Sequence, residues 1–150
     1  PEEQERALFV YDLNTGQTID LFRAMQFRSV SASPDGAWVL LTAVMETDQA
    51  RNGLWLLRTD GSEQRKLDWF GAYTWRDDGQ LLYLPFNPGT TSHEVWLYEV
   101  ASGQSRRLTD PAVTPFKIAQ GDFAFAPDGS AIVYLSAEDR NLWVVELERK

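Results

Sequence analysis

The sequence predicts an all-β chain: a β-propeller of four-stranded antiparallel blades, about three of them present as a partial propeller. Three observations carry that expectation. A hairpin turn recurs in "VSASPDGAWVLLTA" from Val30, "YTWRDDGQLLYLP" from Tyr73 and "FAFAPDGSAIVYLS" from Phe123, placing Gly36, Gly79 and Gly129 at intervals of 43 and 50 residues. A second motif, "LFVYDLNTG" at Leu8, "LWLLRTDG" at Leu54, "VWLYEVASG" at Val95 and "LWVVELE" at Leu142, puts Phe9, Trp55, Trp96 and Trp143 at intervals of 46, 41 and 47. Two independent markers thus keep one period, in the range of propeller blades. Between the markers run short alternating segments rich in β-branched and aromatic residues, such as "DFAFAP" and "LWVVEL", with turn residues always close by, which leaves little room for helix.

Each element follows from that period. Residues 8–21 supply only the third and outer strands of a blade, Leu8 to Tyr11 and Gln17 to Leu21. Residues 27–67 form a full blade: an inner strand from Phe27 to Ser33, then Ala37 to Ala43, Leu54 to Arg58 and an outer strand from Glu63 to Leu67. Residues 73–108 repeat the plan, and residues 121–147 stop after a third strand, so residues 1–150 read as a single propeller segment. The turn recurs because it joins the first two strands of each blade: proline presets a turn dihedral, aspartate bonds its own backbone and glycine takes a positive φ. Small residues on the inner strands (Ser29, Ser31, Ala32, Ser33, Ala124, Ala126) are expected at a crowded position where blades converge, and the recurring Trp and Phe between sheets.

Bulk properties narrow the function. With 150 residues, 43% of them hydrophobic, the chain can bury a core. A net charge of −8, from 22 acidic and 14 basic residues, repels phosphate backbones and anionic lipid, so neither nucleic acid nor membrane insertion is expected. The longest apolar runs, such as Ala37 to Met45, fall short of the ~20 residues of a spanning helix. Absence of cysteine removes disulfides, thiolate metal sites and thiol nucleophiles. The start at Pro1 points to a processed product or a segment of a longer chain.

The repeats "SASPDGAWVLLTA", "GLWLLRTDGSEQRKL" and "VWLYEVASGQSRRLTD" resemble those of TolB-type β-propellers, related in style to the propellers of prolyl oligopeptidase and dipeptidyl peptidase IV. The likeness runs from Leu8 to Leu147, and "GQSRRLTD" from Gly103 matches closely. It implies an extracytoplasmic module of six-bladed type. Three blades are too few for a conventional ring, so the expectation is either a fragment of a longer propeller or a half-ring. In the second case a homodimer completes a six-bladed ring, with Leu8 to Leu21 of one copy beside Leu142 to Leu147 of the other.

Function is expected where loops are long. The connections between second and third strands (Met45 to Gly53, Pro85 to Glu94, Ser136 to Asn141) and those between blades (Phe22 to Phe27, Asp68 to Tyr73, Asp110 to Gly121) emerge on one face of a propeller, opposite the tight turns. On that face Phe22, Trp69, Phe70 and Phe116 are the candidate apolar contacts, with Arg23, His93 and Lys117 as polar partners. Catalysis finds little support: His93 is the only histidine, and the chain has neither H-E-x-x-H nor G-x-S-x-G. Oligogalacturonate-lyase-like propellers share the repeat but gather several histidines around a metal. Glu46, Asp48, Glu138 and Asp139 lack the spacing of a calcium loop, so no metal or cofactor is expected. The reading is a non-enzymatic binding or scaffold module engaging a protein or peptide. The alternative is the substrate-gating propeller of a serine peptidase resembling prolyl oligopeptidase, with the catalytic domain outside this chain.

Overall fold

A computed structural model describes residues 5–147 and divides the chain into two compact units between Phe70 and Gly71. In the first, β1 (Arg6–Tyr11) and β2 (Thr18–Ala24) form a two-stranded sheet, and β3 (Gln26–Ala32), β4 (Trp38–Val44), β5 (Gly53–Arg58) and β6 (Gln64–Lys66) form a four-stranded one in sequence order. A 3-10 turn at Gln49–Arg51 lies between β4 and β5. The second unit holds β7 (Gly71–Asp77), β8 (Gln80–Pro85), β9 (Trp96–Glu99) and β10 (Gln104–Arg107) in one sheet. Its other sheet contains β11 (Ile118–Phe125), β12 (Ala131–Ser136) and β13 (Leu142–Glu146). Every pairing is antiparallel and joins strands consecutive in sequence.

Alternation along the strands builds the two cores. In the first unit Leu21, Phe22 and Ala24 of β2 pack with Leu41 and Ala43 of β4 and Leu57 of β5, so the two-stranded sheet covers a face of the four-stranded one. In the second, Leu82, Leu84, Val95 and Leu97 meet Phe116, Ile118, Ile132, Tyr134 and Leu147. Full burial of each such Leu or Ile stabilises the fold by about 1.5–3 kcal/mol. Strand β10, by contrast, is exposed along its length, as an outer strand with charged residues should be.

The recurring turn is held by its aspartate. The Asp35 carboxylate accepts from the Ser33 hydroxyl at 2.6 Å and the Ala37 N–H at 3.0 Å, with Gly36 at φ +72°. These bonds hold the Asp35 carboxyl below its ordinary pKa, the Ser33 hydroxyl contributing most. Asp128 repeats the device on the Ser130 N–H at 3.0 Å, with Gly129 at φ +66°. The middle turn departs from expectation: Gly79 is not among the glycines with positive φ. Asp77 pairs with Gln80 across a two-residue loop and accepts the Gly79 N–H at 2.9 Å, so the shorter hairpin closes without a left-handed glycine.

The inner strands depart from expectation in part. Ser29, Ala32 and Ala124 are exposed, and Val30 keeps 51% of its surface. Register shifts lie between Arg28 and Ser31 and between Ile118 and Phe123, with Ser29 at φ +52° and Gln120 at φ +57°. Ser29, at the first bulge, is turned outward, whereas Ser33 is buried and Ser31 and Ala126 are half-buried. In the last sheet, Leu142, Trp143 and Val144 are 75%, 51% and 59% exposed, and β13 has β12 as its one neighbour among the described residues.

Candidate binding surface

Each unit ties a loop between second and third strands to a connection between sheets. In the first unit the anchor is Glu46, 4% exposed. One carboxylate oxygen accepts the Met25 N–H at 2.6 Å, and the other lies 3.3 Å from the Arg51 guanidinium. Arg51 also donates to the Arg23 carbonyl and sits 6.0 Å from the centroid of the Phe22 ring. Asp48 caps the 3-10 turn by accepting the Ala50 N–H, and Asn52 accepts the Glu46 N–H at 3.0 Å. The loop is thus built around a buried, paired carboxylate, while Met45 at its start is 68% exposed with φ +63°.

In the second unit the β8–β9 loop and the β12–β13 loop both bond to the segment that leads into β11. The His93 N–H donates to the Phe116 carbonyl at 2.8 Å, and the Ala137 N–H donates to the Lys117 carbonyl at 2.8 Å. His93 Nδ1 accepts the Ile118 N–H at 3.1 Å. Burial, and secondarily the Lys117 charge, hold the His93 pKa below its ordinary value. The loop residues Pro85–Glu94 themselves line a cavity of about 550 Å³.

The expected contact residues divide accordingly. Phe22 lies on β2, not in a connection, and is 7% exposed within the first core. Phe116 is 2% exposed, its ring 5.1 Å from that of Tyr134 and 6.2 Å from that of His93. Both rings were expected at a loop surface. Burying them gains more than solvent exposure, and the neighbouring strands offer apolar partners. Arg23 and Lys117 are exposed, Arg23 donating to Asp20 at 2.8 Å. Trp69 is half-buried and Phe70 is 55% exposed. His93, Phe116 and Lys117 come together, whereas Phe22 and Arg23 point to opposite faces of β2, one buried and one exposed. Sequence reasoning missed Arg51 and Phe86, the latter 68% exposed. Two prolines flanking an aromatic in a long loop were the available signal for Phe86.

Among the described residues no cluster of three or more His, Asp or Glu side chains is placed to hold a metal. Among the described residues no helix is long and apolar enough to cross a membrane.

No family model matches the chain, and no curated protein sequence matches it. Solved structures do. An oligogalacturonate lyase from Vibrio parahaemolyticus superposes with a TM-score of 0.63 at 19% identity, over 93% of this chain and 39% of that one. TolB from Acinetobacter baumannii gives 0.57 at 15% identity, over 92% and 34%. An oligogalacturonate lyase in complex with manganese gives 0.51 at 18% identity, over 93% and 53%. The chain therefore spans between about a third and about half of the length of these structures. Its fold is that of the TolB-like β-propellers, in the form of a partial propeller of about three blades.

Proposed function

We propose that this segment is a non-enzymatic binding module that engages a protein or peptide partner through its long-loop end. The observation that carries the reading is the pair of loop clasps: Glu46 and Arg51 hold the β4–β5 loop to the β2–β3 connection, and His93 holds the β8–β9 loop to the start of β11. Long loops fixed in this way present a surface without losing conformational entropy at binding. Likeness to TolB supports a propeller module, and exposed Lys117 supplies a cationic contact beside the second clasp.

Selection of peptides on the immobilised chain tests the reading. Bound peptides should lose at least tenfold in affinity to Lys117→Ala and keep it with Ser102→Ala, a change at the opposite, tight-turn end of β9. Equal loss with both variants, or failure of selection to enrich any peptide, would overturn it.

A further inference from the structure

The β8–β9 loop lines a cavity of its own. At about 550 Å³ it falls within the roughly 300–1,000 Å³ of small-ligand pockets, and consecutive residues from Pro85 to Glu94 line it. Several features fix those walls in place. Pro85 pairs with Gly71 at the end of β8. The Asn87 carbonyl accepts the Thr90 hydroxyl at 3.0 Å, and Gly89 turns the chain at φ +82°. His93 closes the far side through its bonds to Phe116 and Ile118. Two prolines restrict φ further, so the loop is organised before a ligand arrives.

The chemistry of the walls selects the ligand. Asn87, Thr90, Thr91 and Ser92 offer amide and hydroxyl groups. Because His93 Nδ1 accepts a hydrogen bond, the neutral ring carries its proton on Nε2 and remains a donor there. The single formal charge in the lining, Glu94, is engaged by Trp96 Nε1 at 2.9 Å and by Arg107 at 3.4 Å. Phe86, 68% exposed, supplies an apolar ring beside these groups. One aromatic face with several neutral hydrogen-bonding groups and no uncommitted charge matches an uncharged sugar ring, which has both an apolar C–H face and hydroxyls. The one formal charge in the lining is the Glu94 carboxylate and the chain carries a net charge of −8, which disfavours an acidic sugar even with Lys117 near His93. We propose that the Pro85–Glu94 cavity binds a neutral sugar unit of a glycan.

The test is an amide-resolved NMR titration of the ¹⁵N-labelled chain with cellobiose, maltose and chitobiose, with digalacturonate as the anionic comparison. At least one neutral disaccharide should shift the amides from Phe86 to Glu94 with a Kd of about 1 mM. Phe86→Ala should weaken that binding at least tenfold and Phe86→Trp should preserve it. Both replacements are at an exposed position, and an unchanged melting temperature verifies their folding. Absence of shifts in these amides with all three neutral sugars would overturn the proposal, as would digalacturonate binding equally well or Phe86→Ala binding like the parent.

Discussion

The imidazole of His93 accepts the backbone N–H of Ile118 at 3.1 Å, so a loop is fastened to a strand by an atom that protonation would convert from acceptor to donor. The lowered pKa of His93, caused by burial and by Lys117, sets the sign of the linkage. The folded state binds this proton less readily than the unfolded state, whose value is near 6.5. The stabilisation is fully present above about pH 6.5 and is lost as pH falls through the lower folded value. A pH titration should show the Ile118 amide and the His93 ring moving together below that point. Independent titration of the two would refute the coupling.

Removing the same acceptor by substitution gives a second reading of the clasp. His93→Phe leaves the Ile118 N–H, on a residue only 8% exposed, without its partner. The expected cost is about 1–2 kcal/mol in urea unfolding, with faster hydrogen exchange at Ile118.

Glu46 should matter more than a surface acid. Glu46→Ala removes the acceptor of the Met25 N–H and the partner of Arg51. Arg51 is partly solvated and recovers some hydration, so the loss should be about 2 kcal/mol. Glu46→Gln, which keeps one acceptor, should recover part of it. Chemical denaturation of the three proteins distinguishes these outcomes.

Gly71 has no room for a side chain. A Cβ there would stand 1.9 Å from the Leu84 carbonyl oxygen, a backbone atom that the β7–β8 ladder holds in place. Gly71→Ala should destabilise the second unit by about 3 kcal/mol or more, whereas Gly89→Ala, where no atom lies within 4 Å, meets only the strain of its positive φ. Thermal melts should rank them in that order.

Asp139 should remain ionised in strong acid. The Asn141 N–H is the main cause, with the Trp143 indole and other hydrogen bonds adding to it, and together they hold the carboxyl at about 2. The stability linked to this turn is present above the ordinary carboxylate value and disappears as pH falls through about 2. Carboxyl-carbon NMR between pH 5 and pH 1.5, a window set roughly by the ordinary and shifted values, checks it. A midpoint near the ordinary carboxylate value would count against these bonds.

Much of the fold was legible because its determinants are local. The period of the turns located the strands, and Asp35 and Asp128 act on neighbours two residues away. Phe22 and Phe116 were harder to place, because their burial depends on partners distant in sequence, such as Leu41 or Tyr134. The inner-strand bulges escaped notice for a related reason. Ser29 adopts positive φ without being glycine, so no residue type announces the first bulge, whereas Gly121 at φ +76° in β11 was the available signal for the second. Of the expected surface, Phe70, Arg23 and Lys117 are exposed. The clasp at Glu46 and Arg51 was hidden among residues that read as ordinary loop charges.

Among the described residues strands pair only with their neighbours in sequence, which has a kinetic consequence. Each ladder joins strands adjacent in sequence, so little chain entropy must be given up before its contacts form. A sheet can assemble as soon as its last strand leaves the ribosome, without waiting for distant sequence. The same arrangement lets a whole repeat be gained or lost by duplication or deletion without rewiring any other hydrogen-bonded ladder.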